Sequence, residues 1–361
     1  MKVLAITSHG YTLNAVRPEA ELLIGLKRAG VDLTVMTQSD SVYIDRLRDA
    51  GVELLPYMIG RKFSPPTMWR LRRLLKREAF DLVYAFNNKA ICNTAFARIG
   101  LPVKLMTYRG QTGNIHRFDP ASYLTHLHPS VDGILCVADE VRKSLVAHVG
   151  VRKKLYTVYK GHDLSWYNEP AADRAVLNLR DDQFVIGCVA NNRPRKGVDY
   201  LIRACAQLKD IEHLQLLLIG KGMDEATLGD FVEQQGLTGR VTLAGHRTDA
   251  TALIQCCDVS VLPATRREGL PKTVIEAMVY GVAPIVTDTG GNAELVQHGH
   301  NGLVVPVEDS SALANAIRQL HADPELRARF GDNSRARIDS HFNVRDSVRN
   351  TLAAFREHVT S

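Results

Sequence analysis

Glu268-Gly-Leu-Pro-Lys-Thr-Val-Ile-Glu276-Ala-Met278 is the stretch from which the rest of this chain can be read. Two carboxylates stand with seven residues between them. Gly269-Leu270-Pro271 reads as a turn, and the apolar run after it reads as a helix. Proline suits a first helical position, where its missing N–H would be unpaired anyway. On that reading Glu268 lies in the loop that feeds the helix, and Glu276 lies about one and a half turns inside it. The unpaired backbone N–H groups of Leu270, Lys272 and Thr273 then fall between the two acids. A helix start of this kind attracts phosphate. An acid before the anion site and an acid beyond it can hold the two ends of a phosphate-bridged molecule. Two simpler readings compete. The pair can be one exposed helix glutamate and one loop glutamate, or it can be the acid and nucleophile of a glycosidase.

Downstream, Gly281-Val-Ala-Pro-Ile-Val-Thr-Asp-Thr-Gly-Gly291 carries an apolar run that ends in a glycine turn. The same alternation runs outward in both directions. Residues 2–7, 31–37, 81–86, 103–108 and 133–137 read as buried parallel strands. Most are followed by helical patterns, such as 17–29 and 140–149. A second series follows at 184–190, 214–219, 241–244, 259–262, 283–286 and 302–305. The polar stretch 165–182 between the two series is the linker candidate. Strand–helix alternation predicts an α/β fold of parallel sheets covered by helices on both faces. Two series predict two Rossmann-like doubly wound domains facing across a cleft, with ligands beyond the carboxyl ends of the strands. We expect boundaries of 1–163, 164–340 and 341–361. The last segment is a helix near 344–358.

Bulk composition agrees. At 361 residues the chain exceeds a comfortable single core. Hydrophobic content is 45% and charged content 23%, as in ordinary globular proteins. No apolar run approaches the ~18 residues of a membrane span. Met1-Lys-Val-Leu-Ala-Ile-Thr7 reads as a strand and not as a signal peptide. The six cysteines lie in apolar segments without a Cys-x-x-Cys pair, which points to reduced thiols and a cytoplasmic compartment. Net charge is +6, which suits an anionic partner. Nucleic acid is the weakest such partner, because no helix-turn-helix, zinc-finger or aromatic-basic motif is legible.

Glu268-Gly-Leu-Pro with Glu276-Ala-Met and the glycine-ended strand after it is similar to the donor site of retaining glycosyltransferases of the GT-B fold, glycosyltransferase family 4. The resemblance runs from the first strand to the last helix and is strongest from Gly245 to Pro306. It implies a retaining transferase that takes a nucleoside diphosphate sugar as co-substrate, with no other cofactor and no metal. A UDP-sugar stands ahead of a GDP-sugar as donor, and a glycan or glycolipid hydroxyl is the acceptor. The implied setting is lipopolysaccharide or other envelope polysaccharide synthesis, and the implied transferred group is a hexose or N-acetylhexosamine. The last helix resembles one that crosses back onto the first domain. Glu268 is then expected at the sugar and Glu276 at the ribose hydroxyls. Gly269, Leu270 and Pro271 lie between them.

Arg193-Pro-Arg195-Lys196-Gly197 follows a buried strand and opens a helix, so three cations crowd a turn that already favours anions. Lys196-Gly197 matches the family's diphosphate-binding lysine. A Gly-Arg pair usually precedes it, but here the positions are Ala190-Asn191. Arg193 or Arg195 is the candidate replacement for the missing charge. These cations would stabilise the leaving diphosphate where other enzymes use a metal, and the chain has no Asp-x-Asp signature. Gly220-Lys-Gly222 resembles the family's glycine pair, and Gly245-His-Arg247-Thr-Asp249 its segment beside the base. Asn292 and Glu294 read as helix-start residues.

The first domain is expected to supply the acceptor site. Its first loop, Ser8-His-Gly10-Tyr-Thr-Leu-Asn14, lacks the family's Gly-Gly pair, and Gly10 is the candidate substitute. Arg109 stands where relatives place a histidine near the sugar, and His116 follows in the same loop. Both are candidates for the catalytic set with Glu268 and Lys196. Residues 61–77 form a basic stretch with a leucine stripe. They read either as a helix packed on the sheet with cations in solvent, or as a contact with an anionic membrane on the cytoplasmic face. Two other functions remain open from sequence. One is a nucleotide-sugar epimerase on the same fold. The other is a non-catalytic subunit that binds nucleotide sugar or glycan.

Overall fold

The computed structural model describes residues 1–8, 13–149 and 153–359, with backbone only for 13–15. Gly10, and with it the expected contact to the donor, lies outside the described residues. The chain divides into two compact units, 1–162 with 342–361, and 163–341.

The first unit holds seven strands: β1 (Lys2–Ile6), β2 (Asp32–Thr37), β3 (Glu53–Pro56), β4 (Leu82–Ala85), β5 (Lys104–Arg109), β6 (Gly133–Cys136) and β7 (Lys154–Thr157). They lie in the order β3-β2-β1-β4-β5-β6-β7, all parallel. The second unit holds β8 (Phe184–Val189), β9 (Leu214–Ile219), β10 (Val241–Gly245), β11 (Val259–Leu262), β12 (Ala283–Thr287) and β13 (Leu303–Val305). Their order is β10-β9-β8-β11-β12-β13, again all parallel. Each sheet reverses its winding once, between β1 and β4 and between β8 and β11. Ligands of doubly wound sheets bind at such reversal points.

Burial explains which strands the sequence announces. All four residues of β4 and all six of β9 are buried, so each is a continuous apolar run. The edge strands β3 and β7 are half-exposed and carry Glu53, Pro56 and Lys154, so they show no such run. Neither was expected from sequence, and each adds one strand to the first sheet.

The helix Val344–Val359 packs on the helix Leu13–Arg28 within the first unit. Gly25 permits that approach, because a Cβ there would collide with Val348. Residues 165–182 are not a free linker. Leu177 and Leu179 belong to the second unit's core, and Arg174 donates to the carbonyls of Gln183 and Cys256. Polar composition hid two leucines that anchor the segment. All six cysteines are buried free thiols. Among the described residues no helix is long and apolar enough to cross a membrane.

Candidate active site

The second unit opens where its winding reverses. β8 and β11 pair at only two positions, Ile186 with Val259 and Gly187 with Ser260. Beyond them the two carboxyl ends separate. The loop after β8 carries Arg193–Gly197, and the loop after β11 carries Thr265–Pro271.

Backbone contacts lock these loops together. Thr265 donates its N–H to the Arg195 carbonyl at 2.9 Å. Gly197 sits at φ +64°, and a Cβ there would strike the Pro263 carbonyl. From the other side Gly290, at φ +56°, lies against the backbone of Glu268, where a Cβ would collide. Gly291 donates to the Gly269 carbonyl at 3.0 Å. Arg267, immediately before Glu268, is held at φ +63°. A non-glycine residue in that region costs on the order of 1 kcal/mol and persists only where its surroundings enforce it. Glu268 is therefore presented by a backbone that two neighbouring segments, 195–197 and 290–291, hold in place.

Glu268 is 5% exposed. Its Oε1 accepts from Lys196 Nζ at 2.6 Å, and Arg195 Nη1 lies 3.6 Å away. Two cations from one loop thus converge on one buried acid from the other. Arg193 does not join them. It is exposed and lines a separate hollow of about 530 Å³ with Arg266 and Tyr200. Of the two candidate replacements for the missing family arginine, the geometry brings Arg195 to the site. Asn191 is exposed.

The helix Lys272–Val279 follows. Pro271 is its N-cap, with φ −70° and ψ 115°, and not its first turn. This corrects the expected start by one residue. Among the described residues no protein group accepts from the backbone N–H groups of Leu270, Lys272 or Thr273. Glu276 is 5% exposed, with Lys272 Nζ 2.8 Å from Oε1. That contact is a charge pair outside hydrogen-bond alignment, which leaves Oε1 without a bonded donor. Burial pushes the Glu276 carboxyl above its usual range, Lys272 pulls it back, and the nearby Glu169 carboxylate adds to the rise. Nothing in the sequence pattern pointed to Glu169.

The remaining expected residues have local roles. Gly220, at φ +143°, comes so close to Ala190 that only glycine fits. Arg247 donates to both oxygens of Asp249, at 2.8 and 2.7 Å, so its charge is already paired. Asn292 does not cap a helix. It is wholly buried and donates Nδ2 to the Thr287 carbonyl at 2.9 Å, tying down the end of β12. Glu294 keeps its place in the first turn of that helix.

In the first unit, Arg109 ends β5 and is 7% exposed. It points inward and donates Nη2 to the Gly113 carbonyl. Burial lowers its pKa to about 10. The guanidinium thereby braces its own loop. His116, in that loop, is exposed. Its N–H donates to Ser122 Oγ at 3.1 Å, and its Nδ1 accepts from the Phe118 N–H at 3.3 Å, which leaves the neutral ring's proton on Nε2. The His148 ring lies 4.6 Å away, centroid to centroid.

Two family models divide the chain between them. Glycosyl transferases group 1 matches residues 170–337, and Glycosyltransferase Family 4 matches residues 20–166. The chain is 36% identical over 158 residues to EpsD of Bacillus subtilis, covering 44% of this chain and 41% of that protein. It is 30% identical over 172 residues to the lipopolysaccharide core biosynthesis glycosyltransferase LpsE of Rhizobium meliloti, covering 48% and 49%. The alignments thus span about half the length of these curated relatives. Anabaena HepE, solved in complex with UDP, superposes with a TM-score of 0.78 over 99% of this chain and 100% of that one, at 21% identity. The fold is that of the GT-B glycosyltransferases. Within that class the chain is a glycosyltransferase family 4-like protein.

Proposed function

We propose that this protein transfers a hexosyl or N-acetylhexosaminyl group from a nucleoside diphosphate sugar, a UDP-sugar ahead of a GDP-sugar, to a glycan or glycolipid hydroxyl. The observation that carries this reading is the buried Glu268 carboxylate 2.6 Å from Lys196, with Arg195 beside it, in the loop that feeds the open start of the Lys272–Val279 helix. Lys196, Arg195 and the helix N–H groups suit a diphosphate. Glu268 suits the sugar end and Glu276 the ribose end. As the sugar–phosphate bond breaks, negative charge grows on the leaving diphosphate. Fixed cations beside it stabilise that charge without reorganising. Glu268 favours the oxocarbenium-like state. The acceptor hydroxyl attacks on the face the diphosphate leaves and passes its proton to the departing diphosphate oxygen, which retains configuration and requires no protein nucleophile and no metal. Arg109 acts as a positioning residue for the loop of the first unit. His116 then faces the acceptor with Nε2.

The setting we infer is envelope polysaccharide assembly at the cytoplasmic face of a membrane, supported by the kinship with LpsE. The basic stretch 61–77 would contact anionic lipid there. The test is slow hydrolysis of a UDP-sugar without acceptor, unchanged by a chelator, and transfer with inversion excluded by product NMR. Tight UDP binding with no turnover under any acceptor would instead identify a binding subunit. Interconversion of the donor's sugar configuration would identify an epimerase. Binding to neutral vesicles as strong as to anionic ones would remove the membrane contact.

A further inference from the structure

A groove of about 810 Å³ lies at the carboxyl ends of β2 and β3, walled on one side by the helix Pro65–Glu78. Met36 and Leu55 contribute apolar surface, Tyr57 and Trp69 contribute aromatic faces, and Arg70 and Arg73 contribute charge. The Arg70 guanidinium sits 4.3 Å from the Tyr57 ring centroid, and that of Arg73 lies 5.7 Å from the Trp69 centroid. Stacked in this way, the two guanidinium planes are held without being neutralised. Among the described residues no carboxylate pairs with either of them, whereas Arg77 on the same helix pairs with Glu78 at 2.8 Å. Arg72, one position from Arg73, faces the other way and donates to the carbonyls of Ala97 and Ile99 at 2.9 and 2.7 Å. The helix therefore divides its arginines between holding the fold and lining the groove.

Charge and exposure point to the occupant. From Met58 to Arg77 the chain carries seven cations and no acid, more than the whole protein's net charge of +6. At the groove Trp69 is 65% exposed, and Met58, the neighbour of Tyr57 in sequence, is 59% exposed. A tail-less anion would use the arginines and leave the apolar floor and the outward aromatics wet. A neutral apolar ligand would leave two desolvated guanidiniums unpaired. An amphiphile with an anionic head satisfies both.

We propose that this groove binds the phosphate of a single membrane phospholipid between Arg70 and Arg73, with the first methylenes of its tails against Met36, Leu55 and Trp69. Planar guanidiniums suit phosphate oxygens bidentately, and indole rings suit the membrane–water interface. The proposal deepens the reading of a membrane-borne acceptor and rests on it. It makes the basic stretch a lipid-headgroup site and not merely a charged coat.

The test uses the whole protein with Trp166→Phe, which leaves Trp69 as the only indole. Dihexanoyl phosphatidic acid is titrated below its micelle concentration while Trp69 fluorescence is followed. The proposal expects a saturable blue shift. It expects at least tenfold weaker binding in Arg70→Ala/Arg73→Ala, and a change of less than about threefold in the charge-matched Arg61→Ala/Lys62→Ala. Arg70→Lys/Arg73→Lys, which keeps the charge and removes the fork, should weaken binding several-fold and covers the case in which the alanine pair misfolds. Equal losses in the two charge-matched pairs would replace the groove with diffuse attraction. Glycerol phosphate binding as tightly as the lipid would show an anion site with no place for a tail. An absence of saturation would end the proposal. UDP-sugar hydrolysis by the same preparations reports on the donor site separately, so either reading can fail without the other.

Discussion

Glu268→Gln separates two jobs that the structure assigns to one ion pair. Lys196 Nζ and Glu268 Oε1 are 2.6 Å apart, with side-chain exposures of 16% and 7%. At an effective dielectric of ~20 the attraction between unit charges at that distance is about 6 kcal/mol gross. Desolvation returns most of it, and a net of about 1–2 kcal/mol is reasonable for a pair that keeps some access to water. In the free protein this pair occupies the lysine that a diphosphate needs. Removing the carboxylate charge frees Lys196 and removes a like charge from the anion's surroundings. Nucleoside diphosphate without a sugar should therefore bind Glu268→Gln about 5–30-fold more tightly than wild type, as measured by titration calorimetry. Turnover should fall at least ~100-fold, because the variant no longer favours positive charge on the sugar ring. The two results in opposite directions are the signature. A variant that binds UDP more weakly than wild type, or one that turns over normally, would refute the reasoning. The free variant should also melt a few degrees lower, since Lys196 then lacks a partner and about 1 kcal/mol corresponds to about 2–4 °C in a domain of this size.

Three further outcomes are expected. Glu276→Gln should raise the melting temperature at pH 7 while weakening donor binding about tenfold. Burial raises the native carboxyl's pKa, so the folded state prefers the proton, and the charged form is a cost that grows as pH rises above the unfolded value. A lower melting point would contradict that. Arg195→Ala should weaken UDP binding about tenfold and Arg193→Ala less than about threefold, because only the former lies at Glu268. The reverse order in calorimetry would move the diphosphate to the other hollow. His126, buried and bonded to the Tyr108 carbonyl, has its pKa lowered to about 3 by burial and then by Arg109. It stays neutral in the fold and protonates when unfolded, so its contribution is complete above pH ~6.5 and is lost as pH falls toward 3. Stability of the first unit should fall by up to about 1.4 kcal/mol per pH unit in that window, and His126→Asn should flatten the slope in denaturant titrations.

The sequence was most legible where burial was complete. Strands covered on both faces must be apolar throughout, so runs such as 214–219 announce themselves. The edge strands β3 and β7 meet water and need no such run. The candidate residues that meet at Glu268 could be picked out for a related reason. Two acids, a turn and a basic strand–helix junction are each local patterns, and they stay local when folded. What sequence did not carry was the direction of side chains that answer to distant groups. Arg109 turns inward to Gly113, Arg247 closes on Asp249, and Asn292 reaches the end of β12. Nor did it show that of Arg193 and Arg195, two residues apart, one lines the hollow with Arg266 and the other lies at Glu268. The positive φ of Arg267 is enforced by Gly197, Gly290 and their carbonyl neighbours, which are far away along the chain.

That clasped loop has a consequence for how the protein meets its ligand. The segment 265–269 lies outside any strand or helix, yet carbonyl and glycine contacts pin it on both flanks. The Thr265 amide, which donates to the Arg195 carbonyl, should exchange with deuterium as slowly as those of the adjoining strands. Recognition then forfeits little chain freedom at Glu268, where an unpinned loop would surrender about 1–2 kcal/mol for each residue it ordered. Variation in donor preference among related sequences would accordingly arise from side chains that change on a fixed ledge, and a single inserted residue in 265–269 should be tolerated far less well than any substitution there.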